Sequence, residues 1–190
     1  MNPHTHFSTL VHYNVWATQR LLQAIEPVVE ADYRRDLGLF FKSIHGTLNH
    51  LLVGEHLLWY PRFVRGASPK AGSALTLDME AEPDRARLAQ ALQGGAANWL
   101  PLLEVWPAER FDGAFSYTTT RGNPVTLPFA AALAHVFNHG THHRGQISAA
   151  LTQLGQPAPV LDLVFFSNKK PCHEPASRPP AGPAVLFAKT

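Results

Sequence analysis

Segment 39–64 constrains the fold more than any other part of the chain. It contains the run SIHGTLNHLLVGEHLLWYPRF, in which Ile44, Leu48, Leu51, Leu52, Leu57, Leu58 and Trp59 fall on several faces of a helix. A helix that is apolar nearly all round is a buried helix, so it needs packing partners on most sides. The rest of the chain offers them. From about residue 6 to residue 30, Leu10, Asn14, Ala17, Leu21 and Ile25 recur at three- and four-residue spacing, with Pro27 near the end. A third helix is predicted from about Glu82, with Pro83 in its first turn and Leu88, Leu92, Trp99 and Leu103 along it. Gly94 and Gly95 weaken it by roughly 1 kcal/mol each relative to Ala, and Pro101 bends its last turns. A fourth helix is predicted from about Pro128 to Leu154, with Gly155 as its C-terminal cap.

Between the third and fourth helices, FSYTTTRGNPVTLP alternates in polarity around an Arg121-Gly122-Asn123-Pro124 turn and reads as a small β-hairpin. Pro61 kinks or ends the second helix. RGASPKAGSALTL reads as a long loop, LDLVFFSN as one short helix, and PCHEPASRPPAGP as irregular. The expected fold class is therefore all-α, a four-helix bundle with a hairpin-like insertion before its last helix. Helices 1 and 2 are expected to be antiparallel neighbours. One domain over residues 1–170 is followed by a Pro-rich tail over 171–190.

The bulk properties fit this reading. A chain of 190 residues with 45% hydrophobic content can bury a single core without disulfides. Its one Cys, Cys172, excludes an intrachain disulfide and points to a reducing compartment. The 16 Lys and Arg are scattered and the formal net charge is only +2, which argues against a polybasic nucleic-acid binder. No apolar run reaches membrane-spanning length, and the first residues lack the pattern of a signal peptide. A soluble cytoplasmic protein is expected.

The chemistry lies in the histidines, 11 in all. In the fourth helix they fall at 135, 139, 142 and 143. His135, His139 and His143 are four apart and share one face; His142 points away from His143. An i,i+4 pair of imidazoles suits chelation of one metal ion, but two ligands are too few. A third must come from a neighbouring helix, where His45, His50 and His56 on helix 2 and His12 on helix 1 are all available. Periodicity does not choose among them. Neutral imidazole suits zinc, nickel, copper and iron. His4, His6 and His173 lie near the chain ends and are expected to be solvated. Trp16, Trp59, Trp99 and Trp106 are read as core or lining. Gly145 is read as a close helix–helix contact. Arg144 is read as one half of a structural ion pair in preference to an anion-binding residue. Asn14 interrupts an apolar stripe and is expected to face the metal pocket.

The runs FFKSIHGTLNHLLVGEHLLWYPRF and HVFNHGTHHRGQISAALTQLGQPAPVLDLVFF, with YNVWATQRLL near the start, closely resemble the DinB family of the DinB/YfiT-like superfamily. The resemblance covers about residues 13–166. It implies an up-down-down-up bundle and a divalent metal, zinc or nickel, held by His50, His139 and His143. Glu55 stands where the family often has an acidic residue. With Asn14, His135, His142 and Arg144, it is expected to surround the pocket. Three neutral histidines leave the metal open positions. By resemblance, the metal activates a low-molecular-weight thiol, or water, for transfer, isomerisation or hydrolysis of a small-molecule substrate. The alternative is a non-catalytic metal-binding stress- or damage-response protein. A homodimer is expected, from the apolar surplus on helices 1 and 2 and from the habit of the family.

Overall fold

The computed structural model describes residues 2–65 and 75–167. Most of the 65–77 loop, Cys172, His173 and the whole Pro-rich tail lie outside the described residues. Helix α1 spans Pro3–Ile25, with Asn2 capping it through the backbone N–H of His4 and Pro3 in its first turn. It stops at Ile25, earlier than its apolar stripe suggests, because Pro27 follows and α2, Glu30–Arg34, starts separately. Helix α3, Ile44–Leu51, begins five residues later than expected. Leu39 pairs back to Lys42, whose φ is 66° and left-handed, and Ser43 then caps the helix through the N–H of Gly46.

The buried segment is not one α-helix. From Leu52 to Trp59 it widens into a π-helix, before α4 resumes over Tyr60–Arg65. The N–H of Tyr60 bonds to the carbonyl of Glu55, five residues back. Pro61, which has no N–H to give, sits at the change of register. It therefore neither ends nor breaks the segment. Helix α5, Arg85–Ala97, is capped by Asp84, and α6, Trp99–Glu104, follows after one residue. A 3-10 turn, Ala108–Asp112, leads to the hairpin of β1, Ala114–Thr118, and β2, Pro124–Pro128, paired antiparallel with Phe115 opposite Leu127. Helix α7, Phe129–Gln153, is the longest, and Gly155 at φ 70° closes it. Helix α8, Leu163–Ser167, falls within LDLVFFSN.

The molecule is thus a mostly helical bundle with one small sheet among the described residues. Its packing corrects one expectation. Helix α1 lies chiefly on α5 and α7, and α3 with the π-helix lies on the same two helices. Helices α1 and α3 are separated by them, and the long connection carrying α2 spans the gap. Two apolar clusters fill the bundle. One joins Leu21 and Ile25 of α1 to Ile44 and Leu48 of α3, Leu88 and Leu92 of α5, and Ile147 and Leu151 of α7. The other joins Phe7 and Val11 of α1 to Phe63, Trp99, Leu103, Phe129 and Phe137, with Phe63 stacked on Phe115 at 4.2 Å. Each fully buried Leu, Ile or Phe contributes about 1.5–3 kcal/mol relative to exposure. No helix is long and apolar enough to cross a membrane among the described residues.

The π-helix packs unusually close to its neighbours. Consecutive residues Glu55 and His56 face different helices, and each sits on a glycine. A Cβ on Gly140 of α7 would stand 2.5 Å from Oε1 of Glu55, and one on Gly95 of α5 would stand 2.4 Å from the ring of His56. Gly145 has open space around it, so the close contact expected there belongs to Gly140 instead.

Gly94 and Gly95 give a paired test. Gly94 is exposed with nothing near its missing Cβ, whereas Gly95 is buried against His56. Gly94→Ala should stabilise the protein by up to about 1 kcal/mol through helix propensity. Gly95→Ala should destabilise it by about 1–3 kcal/mol through overpacking. Urea unfolding of both variants reads the difference; equal effects would remove the close-packing argument.

Candidate metal centre

His50 of α3 and His139 and His143 of α7 each offer one nitrogen to a common centre, with all three nitrogens within 4.8 Å of one another. Nε2 of His50 and Nε2 of His139 are 3.0 Å apart. The His143 ring stands 4.5 Å from each of the other two, centroid to centroid. His50 and His143 are buried; His139 is half-buried.

The outer nitrogens of two rings are held. Nδ1 of His50 donates to the carbonyl of Leu77 at 2.7 Å, and Nδ1 of His143 to the side-chain oxygen of Gln146 at 2.8 Å. Both acceptors lack a hydrogen, so each ring carries its proton on Nδ1 and turns the Nε2 lone pair inward. Burial pushes both rings toward the neutral form. His50 lies below its ordinary pKa, and His143 is pushed down to about 4 by burial and by the other histidines, against the opposing bond to Gln146. Phe41, unforeseen from the sequence, stacks on His50 at 3.7 Å and covers one side of the site.

The other helix-2 histidines have different partners. His45 is buried, with Nε2 2.6 Å from Glu80 and Nδ1 3.3 Å from the hydroxyl of Tyr33. Asn49, one turn on, exchanges two hydrogen bonds with the backbone of Glu82. Together with the bond from His50 to Leu77, these contacts pin one strap, residues 77–82, along α3. His45 therefore anchors the strap that orients His50. His56 faces Gly95, and the exposed His12 turns back to Ser8.

The remaining expected residues form a shell of unequal closeness. His135 is exposed, lies against Trp59 at 5.1 Å and stands 5.8 Å from His139. His142 is exposed, beside Gln146 and edge-on to His143. Asn14 is fully buried, but its oxygen accepts from Arg144 at 2.5 Å and not from a histidine. Arg144 is buried with no carboxylate within ion-pair distance among the described residues; it donates to Asn14 and Thr141. Among the described residues the ion pair expected for it does not form; the nearby Glu55 instead has Oε1 3.9 Å from Nδ1 of His139. Burial raises the pKa of Glu55, yet His139, His56 and Arg144 together outweigh this and hold it below the usual carboxylate value. Gly54 completes the fit: a Cβ there would stand 3.2 Å from the His139 ring.

The chain as a whole is similar to known proteins. A model of the DinB family matches residues 1–176. The chain belongs to the DinB family. It is similar to Protein DinB of Bacillus subtilis (strain 168), with 26% identity over 167 residues, covering 84% of this chain and 94% of that protein. No solved structure matches it significantly. In this DinB-family chain, Leu77 and Gln146 were not legible as site residues: one acts through its backbone, and the other is a common residue on a helix face.

Asn49→Ala should release the strap from α3. Losing both bonds to Glu82, and leaving those backbone groups unpaired, should cost about 1–3 kcal/mol in urea unfolding. An unchanged midpoint would show that the strap does not depend on Asn49.

Proposed function

We propose that this DinB-family chain binds one divalent metal ion through His50, His139 and His143 and is a metal-dependent enzyme acting on a small molecule. The observation that carries the reading is the inward convergence of three imidazole nitrogens on a mostly buried point. The Nε2 atoms of His50 and His139, 3.0 Å apart, are close enough to share one proton or one cation. Burial disfavours the proton at His50 and His143. A divalent cation satisfies all three nitrogens at once, and zinc or nickel suits neutral imidazole.

Such an ion lowers the pKa of a thiol or water at its open position and so supplies a nucleophile near neutral pH. The protein's own part is positioning. Leu77 and Gln146 orient two rings, and Phe41 excludes water from one side. The partial exposure of the His139 side chain, 17%, and the exposed His135 beyond it support approach of a small molecule from that side. A low-molecular-weight thiol, undergoing transfer or isomerisation, is the substrate class this reading favours, with hydrolysis as the water-based variant.

The up-down-down-up order belongs to the same reading. It is supported by the two clusters: one joins the C-terminal parts of α1 and α7 to the beginnings of α3 and α5, and the other joins their N-terminal parts to Phe63, Trp99 and Leu103. A cytoplasmic location and a homodimer are also part of the proposal. The apolar residues of α1 and α3 are largely spent within the bundle, so exposed Val164 and Phe165 are the better support for a dimer face. A light-scattering mass of one chain would remove that part.

Elemental analysis tests the metal. The purified protein should carry about one divalent ion per chain. His50→Ala, His139→Ala and His143→Ala should each abolish tight binding, while His12→Ala, at an exposed residue turned back to Ser8, retains it. Unchanged metal content in the first three variants would overturn the site. If the protein carries metal, a screen against thiols and electrophiles should give turnover that the His139→Ala variant lacks; no turnover would reject the enzymatic part.

A further inference from the structure

Of the three histidines, His139 alone lacks a bonded outer nitrogen. Its Nδ1 is buried and has no hydrogen-bond partner among the described residues, and the same is true of Oε1 of Glu55, 3.9 Å away. These are a donor or acceptor and a carboxylate oxygen facing each other across a gap that nothing described fills. A carboxylate can only accept. If His139 carried its proton on Nε2, its Nδ1 lone pair would face that carboxylate, an unfavourable pairing. With the proton on Nδ1, the same oxygen is a natural acceptor, and Nε2 turns a lone pair toward His50.

We infer that Glu55 is the positioning residue of His139: its carboxylate accepts from Nδ1–H, fixes the tautomer and ring orientation, and so turns Nε2 to the centre. This rests on the metal reading above. Glu55 is not itself a ligand, because it faces the nitrogen opposite the one shared with His50. His139 thus has one ring nitrogen 3.0 Å from Nε2 of His50 and the other 3.9 Å from Oε1 of Glu55, so it would be the ligand that links the carboxylate to a bound ion.

The position of Glu55 is built by its own π-helix together with α7 and α1. The π-helix delivers it toward α7 at a place where Gly140 has no side chain. A Cβ on Gly140 would lie 2.5 Å from Oε1 of Glu55, 2.8 Å from Nη1 of Arg144 and 3.3 Å from Oδ1 of Asn14, so the three groups crowd one point. Arg144 donates to Asn14 there, which keeps its positive charge near the carboxylate without a direct ion pair. Arg144 and Asn14 therefore flank Glu55 without bonding its Oε1, which leaves that oxygen facing His139. The carboxylate–histidine–metal arrangement is a general device for orienting a ligand and raising its basicity, and its loss typically weakens metal binding about 10–100-fold.

The test is a cobalt(II) titration of the full chain and of the Glu55→Gln and Glu55→Met variants, read by visible absorption, with thermal melting of each metal-free protein. Glu55→Met should bind cobalt about 10–100-fold more weakly than the parent. Glu55→Gln should fall between them, because its amide oxygen still accepts from Nδ1–H. A purely structural role would lower the melting temperature while leaving the cobalt affinity of the folded protein unchanged. If both variants bind as the parent does, while His139→Ala loses binding, this inference is overturned and the metal site stands. If the parent binds no cobalt, the metal reading falls and takes this one with it. If Glu55→Met does not fold, Glu55→Gln decides alone: weaker binding supports the role, and unchanged binding overturns it.

Discussion

The site depends on how closely one π-helical turn approaches two neighbouring helices. At Gly95 and Gly140 the missing side chain leaves room that His56 and Glu55 occupy. Without that room, the turn carrying Glu55 would stand off α7, and the buried carboxylate would lose its place opposite His139. A π-turn is rare because its backbone geometry is less favourable than that of an α-helix, and where it occurs it tends to mark a functional site. Here it swings Glu55 toward the histidine helix and His56 toward α5, so packing and chemistry meet in the same turn.

Electrostatics explain why the turn is tolerated. Glu55 and Arg144 are opposite charges buried near each other but not in an ion pair, and an uncompensated buried charge is costly. Their arrangement is economical only if both charges have a further use. Arg144 donates through its two terminal nitrogens to Asn14 and Thr141 and not to the carboxylate, which faces His139 instead. On the other flank, the strap over residues 77–82 fixes His50 through Leu77 and is itself fixed by His45 and Asn49. Opposite faces of the centre are thus governed by different means, a buried carboxylate on one and a backbone strap on the other.

Much of this was legible in the chain itself. The apolar periodicities of α1, α5 and α7, the hairpin and the cap at Gly155 follow from turn chemistry and spacing, because those are local rules. The pair His139 and His143 was readable from the i,i+4 interval. The choice of His50 over His45 and His56 was not, since a helix apolar on every face presents no preferred side; it came from resemblance, and the structure shows the physical reason in the strap that occupies His45. The π-turn was illegible because no composition distinguishes it from an α-helix. Gly145 was given a role that belongs to Gly140: a glycine's use depends on what stands opposite it. The adjacency of α1 and α3 was misjudged for a related reason, since a long connection permits a crossing that spacing cannot see.

The convergence of three imidazoles on one ion is the claim from which the rest follows. X-ray absorption at the zinc edge of the zinc-loaded protein tests it most directly. The account predicts a first shell containing three imidazole nitrogens at about 2.0–2.1 Å, with the remaining position held by a light atom from solvent or substrate. A shell with fewer than three imidazoles, or with sulfur from the chain's one cysteine, would contradict it.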